Sequence, residues 1–126
     1  MPYFCLEKIV RQLNDSGKAV KDAKVLLLGV AYKAGVGDMR ESPALKILKL
    51  LRARGADVSY HDPNVPELPQ FGLTSVEDPY DSAIDLAVIV TAHAGVDHAR
   101  IAVTAPQTLD LRGVTRGVEA AGSRQL

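Results

Sequence analysis

Two runs of apolar residues without polar alternation constrain this chain most. They span residues 24–31 and 86–90. A strand with one face in water alternates apolar and polar residues, whereas a strand of a parallel sheet that is covered on both faces is apolar throughout. The runs therefore predict two central strands of a parallel sheet with helices packed on both faces.

The best-defined helix lies between those two strands. Ser42 is placed to cap it, Pro43 suits its first position, and Gly55 ends it. Further strands are predicted over 56–60, 73–76 and 108–111, and further helices over 3–13, 78–83 and 96–103. We expect residues 119–126 to fray. The predicted fold class is α/β, a Rossmann-like open parallel sheet with helices on both faces, preceded by one N-terminal helix.

Composition excludes several classes of partner. The 126 residues suit one domain, and the 15 basic and 15 acidic residues cancel, so no overall positive field attracts nucleic acid or an anionic membrane. No apolar run approaches the ~20 residues of a membrane span. The N-terminus lacks the pattern of a secretory signal, which favours a cytoplasmic protein. The single cysteine, Cys5, excludes an intrachain disulfide and is predicted to be a packing residue.

The segment after the first strand is the main candidate for ligand binding. Residues 32–43 are too long and too charged for a simple connection, and ligands of open parallel sheets bind beyond the carboxyl ends of the strands. Lys33 and Arg40 supply cationic donors suited to phosphate, ahead of a helix whose positive end favours anions. The alternatives are that Lys33 is simply solvated and that Arg40 pairs with a neighbouring carboxylate.

Other polar residues leave less specific signals. Arg112 follows the last predicted strand, where it could reach a ligand, cap the fold or pair with Asp110. Asp62 is expected to bond the backbone of a turn. The glycines match neither a dinucleotide-binding motif nor a P-loop, and the three histidines lack a metal-ligand spacing, so no metal site is predicted.

Five segments together resemble the C-terminal, UDP-binding domain of the UDP-glucose/GDP-mannose 6-dehydrogenase family. They occur in the family's order and cover nearly the whole chain: 29–33, 37–45, 60–63, Thr91-x-His93-x-x-x-Asp97 and Asp110-x-Arg112. The forms at 39–43 and 60–63 are most similar to the branch acting on UDP-N-acetylglucosamine or UDP-N-acetylmannosamine. By this resemblance, residues 1–16 are the end of an interdomain helix and 17–126 the UDP-binding domain.

The resemblance implies a function for the longer enzyme and roles for four residues here. Family members use NAD to oxidise a nucleotide sugar at C6 to the uronic acid for surface polysaccharides, and the full-length enzyme is expected to be a homodimer. Tyr32, through its backbone, and Lys33 are implied to contact the diphosphate of the UDP-sugar. Arg112 is implied to reach the UDP portion, and Arg40 the NAD phosphates.

Catalytic activity is not expected from this chain alone. The family's NAD-binding domain and its cysteine motif do not occur in it, so no catalytic residue is assigned here. The alternatives are a non-enzymatic nucleotide-binding module and a purely structural domain whose pocket has decayed.

Overall fold

A computed structural model describes residues 2–31, 42–80, 83–118, 120 and 122–125. Its main sheet has five parallel strands in the order β2-β1-β5-β6-β7. These strands are β1 (Lys24–Leu28), β2 (Asp57–His61), β5 (Leu86–Ile89), β6 (Thr108–Asp110) and β7 (Ser123–Gln125), and a two-stranded antiparallel sheet is formed by β3 (Glu67–Leu68) and β4 (Leu73–Thr74). The predicted parallel sheet is confirmed, with the two apolar runs as the neighbouring strands β1 and β5.

Within the described residues, three α-helices cover the two faces of the main sheet. They are α1 (Pro2–Asp15), α2 (Pro43–Ala53) and α3 (His98–Thr104), and a short 3-10 helix spans Pro69–Phe71. Side chains at 25 and 27 of β1 face α1 and α2, while those at 26 and 28 face α3. This alternation of two apolar faces explains why the strand sequence shows no polar positions.

The helices α1 and α2 each bury one face, on which apolar residues recur at helical spacing. In α2 these are Ala44, Ile47, Leu48 and Leu51. The three larger side chains are fully buried, and each stabilises the fold by about 1.5–3 kcal/mol. Gln12 of α1 donates from Nε2 to the carbonyl oxygens of Thr108 and Gly122, both at 3.1 Å, which ties the helix to the far side of the sheet.

Two sequence expectations are wrong. Residues 123–125 form the edge strand β7 rather than fraying, because their backbone pairs with β6. Residues 119, 121 and 126 of the segment expected to fray lie outside the described part of the chain. Residues 78–80 are not helical, and the carboxylate of Asp78 accepts a hydrogen bond from the amide of Tyr80 at 2.9 Å, which closes a local turn. Residues 81 and 82 of that predicted helix lie outside the described part of the chain.

The strand order reverses between β1 and β5. From β1 the chain goes first to β2 on one side and later returns to β5 on the other. In open parallel sheets the ligand crevice lies outside the carboxyl ends of the strands at such a reversal. A ligand site is therefore expected at the segments that follow β1 and β5.

Candidate functional site

The segments after β1 and β5 touch each other directly. Gly29 has a φ of 82°, and a Cβ built on it would lie 2.3 Å from the carbonyl oxygen of Thr91. Only glycine permits this approach. The hydroxyl of Thr91 then donates to the carbonyl oxygen of Ala31 at 2.9 Å. The two strand ends are thereby locked together at the reversal point.

Asp62, the first residue after β2, organises the end of β1. One carboxylate oxygen, Oδ2, accepts the backbone N–H groups of Val30 at 2.8 Å and Ala31 at 3.0 Å. The other, Oδ1, accepts the N–H of Asn64 at 2.8 Å, which confirms the turn predicted for this residue. Asp62 is only 1% exposed, so these donors replace the water that a buried carboxylate loses.

His93 completes this cluster from the segment after β5. Its Nε2 lies 3.0 Å from Oδ2 of Asp62, and its Nδ1 lies 3.1 Å from Nδ2 of Asn64. A carboxylate only accepts, so Nε2–H of His93 donates to Oδ2 of Asp62. Both side chains of the histidine–aspartate pair are at most 1% exposed.

Ser42 connects the start of α2 to the end of β1. It occupies the predicted capping position, but its side chain makes no capping hydrogen bond and its hydroxyl donates instead to the carbonyl oxygen of Val30. Residues 31 and 42, which flank the segment 32–41, are thus both held at the end of β1. The first amides of α2 are left without a side-chain acceptor from Ser42.

Asp110 organises the end of β6. Its Oδ1 accepts the backbone N–H groups of Arg112 and Gly113 at 2.9 and 2.8 Å, and its Oδ2 accepts the N–H and hydroxyl of Thr115 at 2.7 and 2.6 Å. Burial alone would raise the pKa of Asp110, but these hydrogen bonds outweigh it and lower the pKa. The carboxylate therefore stays ionised and fixes the loop that carries Arg112.

The structure describes one of the four predicted site residues. Arg112 is exposed just beyond β6, and the N–H of Leu111 donates to the carbonyl oxygen of Ile89, which joins this loop to β5. Asp110 bonds the amide of Arg112 rather than its guanidinium. Tyr32, Lys33 and Arg40 lie outside the described residues, so their roles stay predictions.

Sequence reasoning missed the cluster formed by Asp62, Asn64 and His93. Asp62 is predicted to make a turn, and His93 is predicted to follow a central strand and belongs to a segment of the resemblance, but no contact between the two is predicted. The available signal was position, because both residues lie just after predicted neighbouring strands of a parallel sheet.

Other features of the described residues lie outside this edge. Cys5 is 2% exposed and burial raises the pKa of its thiol, so the thiol is not poised as a nucleophile. No group of three or more histidine, cysteine, aspartate or glutamate side chains among the described residues is arranged to hold a metal. Nor does any helix within them have the length and apolar character that crossing a membrane requires.

A family model matches most of the chain. It is the UDP-binding domain of the UDP-glucose/GDP-mannose dehydrogenase family, and it matches residues 26–117. A UDP-glucose 6-dehydrogenase of Rhizobium meliloti is 33% identical over 117 residues, which cover 84% of this chain and 26% of that protein. A UDP-N-acetyl-D-mannosamine dehydrogenase of Methanocaldococcus jannaschii is 35% identical over 94 residues, which cover 74% and 20%.

Solved structures agree with this match. A UDP-D-ManNAc dehydrogenase from Pyrococcus horikoshii superposes with a TM-score of 0.80 at 25% identity, over 98% of this chain and 30% of that one. A UDP-glucose dehydrogenase from Pyrobaculum islandicum gives 0.76 at 27% identity, over 97% and 29%. The chain spans about a quarter of the length of the first curated relatives that it matches.

Proposed function

Because this chain belongs to the UDP-glucose/GDP-mannose dehydrogenase family, as its UDP-binding domain, we propose that it binds the diphosphate of a UDP-sugar beyond the ends of β1, β5 and β6. The strand order reverses at this edge, where ligands of open parallel sheets bind. Net charge is zero, so the attraction for an anion comes from individual side chains rather than from the whole molecule.

The setting of Arg112 is the observation that carries the proposal. Its nearest acidic neighbour in sequence, Asp110, has both carboxylate oxygens occupied by backbone amides and the Thr115 hydroxyl. The guanidinium is exposed on a loop fixed by those same bonds. A cation held on a fixed loop and not paired with that carboxylate is suited to bidentate binding of a phosphate.

Lys33 is the second cation of the proposed site. It lies two residues beyond Ala31, whose N–H and carbonyl are both bonded to side chains. The segment that carries Lys33 therefore starts from a fixed point beside β5, the strand next to β6 and the Arg112 loop. In this proposal Lys33 and the backbone of Tyr32 contact the diphosphate, and Arg112 contacts the UDP portion.

The end of β1 is not arranged like the dinucleotide-binding turn that holds NAD. There the backbone amides must point at the pyrophosphate. Here the amide of Gly29 donates to the carbonyl oxygen of His61 at 3.0 Å, and those of Val30 and Ala31 donate to Asp62. We therefore assign this chain only Arg40 as a contact to NAD phosphates, and no step of hydride transfer.

The chain is proposed to serve a longer enzyme. Nearly three quarters of the relatives' length has no counterpart in it, and the family's chemistry needs a nicotinamide beside the sugar carbon that is oxidised. In the full-length protein, a cytoplasmic homodimer in this proposal, the product would be a uronic acid for surface polysaccharide.

Isothermal titration with UDP tests the binding proposal. Lys33→Ala and Arg112→Ala are each expected to weaken UDP binding at least about tenfold, since a hydrogen bond to a charged group contributes about 1.5–3 kcal/mol. Arg54→Ala removes an equal charge after α2, at the opposite edge of the sheet, and is expected to leave affinity unchanged. If the unaltered chain shows neither binding nor a thermal shift with UDP, the domain has a structural role only.

An assay for NADH formation tests the proposed dependence on a longer enzyme. The chain, mixed with NAD and UDP-glucose or UDP-N-acetylmannosamine, is expected to produce no NADH. Turnover that is lost in Cys5→Ala would contradict the assignment of a purely binding role.

A further inference from the structure

We propose that His93 is a positioning residue for the nucleotide site, acting through Asp62 on the segment that leads into Tyr32 and Lys33. This inference rests on the proposed function. It starts from the sheet order, in which β2 and β5 flank β1. Asp62 follows β2 and His93 follows β5, so their 3.0 Å contact passes across the end of β1.

Beneath this contact, three consecutive peptide groups are each held by a side chain. The N–H of Val30 is held by Asp62, and the carbonyl of Val30 by the hydroxyl of Ser42. The N–H of Ala31 is held by Asp62, and the carbonyl of Ala31 by the hydroxyl of Thr91. The direction in which the chain leaves Ala31 is therefore set by side chains from three other segments rather than by strand pairing.

His93 keeps the carboxylate in the orientation that this arrangement needs. Oδ2 of Asp62 must face both amides at once, and the ring supplies its third hydrogen bond from the opposite strand. Asn64 holds the other ring nitrogen, so the ring cannot turn without losing two contacts. Without the His93 ring, the Asp62 carboxylate can rotate while it keeps its bond to the Asn64 amide. The amides of Val30 and Ala31 then lose an acceptor in a fixed position.

Separating affinity from stability tests this role. His93→Leu removes both ring nitrogens at similar volume, whereas His93→Gln keeps an N–H donor near the position of Nε2. We expect the leucine variant to bind UDP about tenfold more weakly in titrations carried out where it remains folded, and the glutamine variant to bind within about threefold of the unaltered chain. Asn64→Ala changes an exposed residue and is expected to weaken UDP binding about threefold to tenfold. It provides a second test if the leucine variant does not fold.

Gln12→Leu is the matched control. It removes two hydrogen bonds from α1 to the carbonyl oxygens of Thr108 and Gly122, and we expect it to lower the melting temperature without changing UDP affinity. If the His93 and Gln12 variants lose stability alike and all retain UDP affinity, His93 only stabilises the fold and the inference is overturned.

Hydrogen exchange gives a readout that needs no ligand. In His93→Leu and Asn64→Ala, the amides of Val30 and Ala31 are expected to exchange about tenfold faster or more, while amides inside β1 keep their protection. Unchanged exchange at these two amides overturns the positioning role even if UDP binds. If exchange is faster in these variants but the unaltered chain never binds UDP, the proposed function is overturned instead. The segment that leads into Tyr32 and Lys33 then has no role in nucleotide binding.

Discussion

Replacing Gly29 with alanine tests the claim that the ends of β1 and β5 are locked together by close backbone contact. The new Cβ would lie 2.3 Å from the carbonyl oxygen of Thr91 and 2.7 Å from its Cβ. Neither atom belongs to a flexible side-chain end that could move aside. The strand end after β5 must shift, and the bonds that it makes to the end of β1 must shift with it.

The expected loss is the sum of three effects. A φ of 82° costs an alanine about 1–2 kcal/mol. Relieving the overlap costs about 1–3 kcal/mol. The shift also weakens the hydrogen bonds from the amides of Val90 and Thr91 to the carbonyl oxygen of Leu28, at about 0.5–1.5 kcal/mol for each bond lost. If both bonds are lost, Gly29→Ala should therefore lower the free energy of unfolding by about 3–8 kcal/mol, a large part of the total for most domains.

Gly17→Ala provides the control for backbone strain. Gly17 has a φ of 79°, close to that of Gly29, and a Cβ there would meet nothing within 4 Å. It should cost only about 1–2 kcal/mol. Urea unfolding followed by circular dichroism gives both values, provided that the dependence of the free energy on urea is the same for each variant. Equal losses for the two variants would refute the argument that close contact, rather than positive φ, makes Gly29 necessary.

Three further predictions concern stability. Burial lowers the pKa of His98, so below about pH 6.5 the unfolded chain binds a proton that the folded chain does not. The free energy of unfolding therefore falls with decreasing pH, and in urea titrations it should depend less on pH in His98→Gln. Because the pKa of Asp110 is lowered in the fold, Asp110→Asn should cost about 1.5–3 kcal/mol at neutral pH, and its difference from the unaltered chain should shrink below about pH 4 as the carboxylate is protonated. Gln12→Leu removes two hydrogen bonds to carbonyl oxygens, although that of Gly122 still accepts the N–H of Thr108 at 2.9 Å, and should lower the unfolding free energy by about 1–3 kcal/mol, measured by the same titration.

Elements with strong local signals were predicted from the sequence with little error. The apolar runs identified β1 and β5 because burial on both faces leaves no position for a polar residue. The bounds of α2 followed from Pro43, which suits the first turn of a helix and disfavours later positions, and from Gly55 after its last residues. In each case the signal lies within the element itself.

The errors fall where the stabilising partner is distant or local competition is strong. The strand β7 has no buried residues and owes its structure to pairing with β6, which its own sequence does not encode. The carboxylate of Asp78 bonds the amide of Tyr80, a contact that a helix cap and a turn both use, and residues 78–80 are not helical. The side chain of Ser42 bonds the carbonyl oxygen of Val30 and makes no capping hydrogen bond. Short polar side chains serve caps and turns equally well, so sequence cannot choose between these uses.

Some residues of the candidate site can be recognised from the sequence, whereas others are brought together only by the order of the strands in the sheet. A cation after a strand, such as Lys33 or Arg112, is visible in the sequence because its charge alone suits it to phosphate. Asp62 and His93 carry no such signal, since they are 31 residues apart and meet only because β2 and β5 lie on either side of β1. The amides of Val30 and Ala31 donate to Asp62, so neither is available to bind an anion. In the proposed site, Lys33, Arg112 and the backbone of Tyr32 contact the UDP-sugar, and Asp62 and His93 hold the segment that leads into Tyr32 and Lys33. Substitutions at His93 should therefore alter binding without removing any group that contacts the ligand.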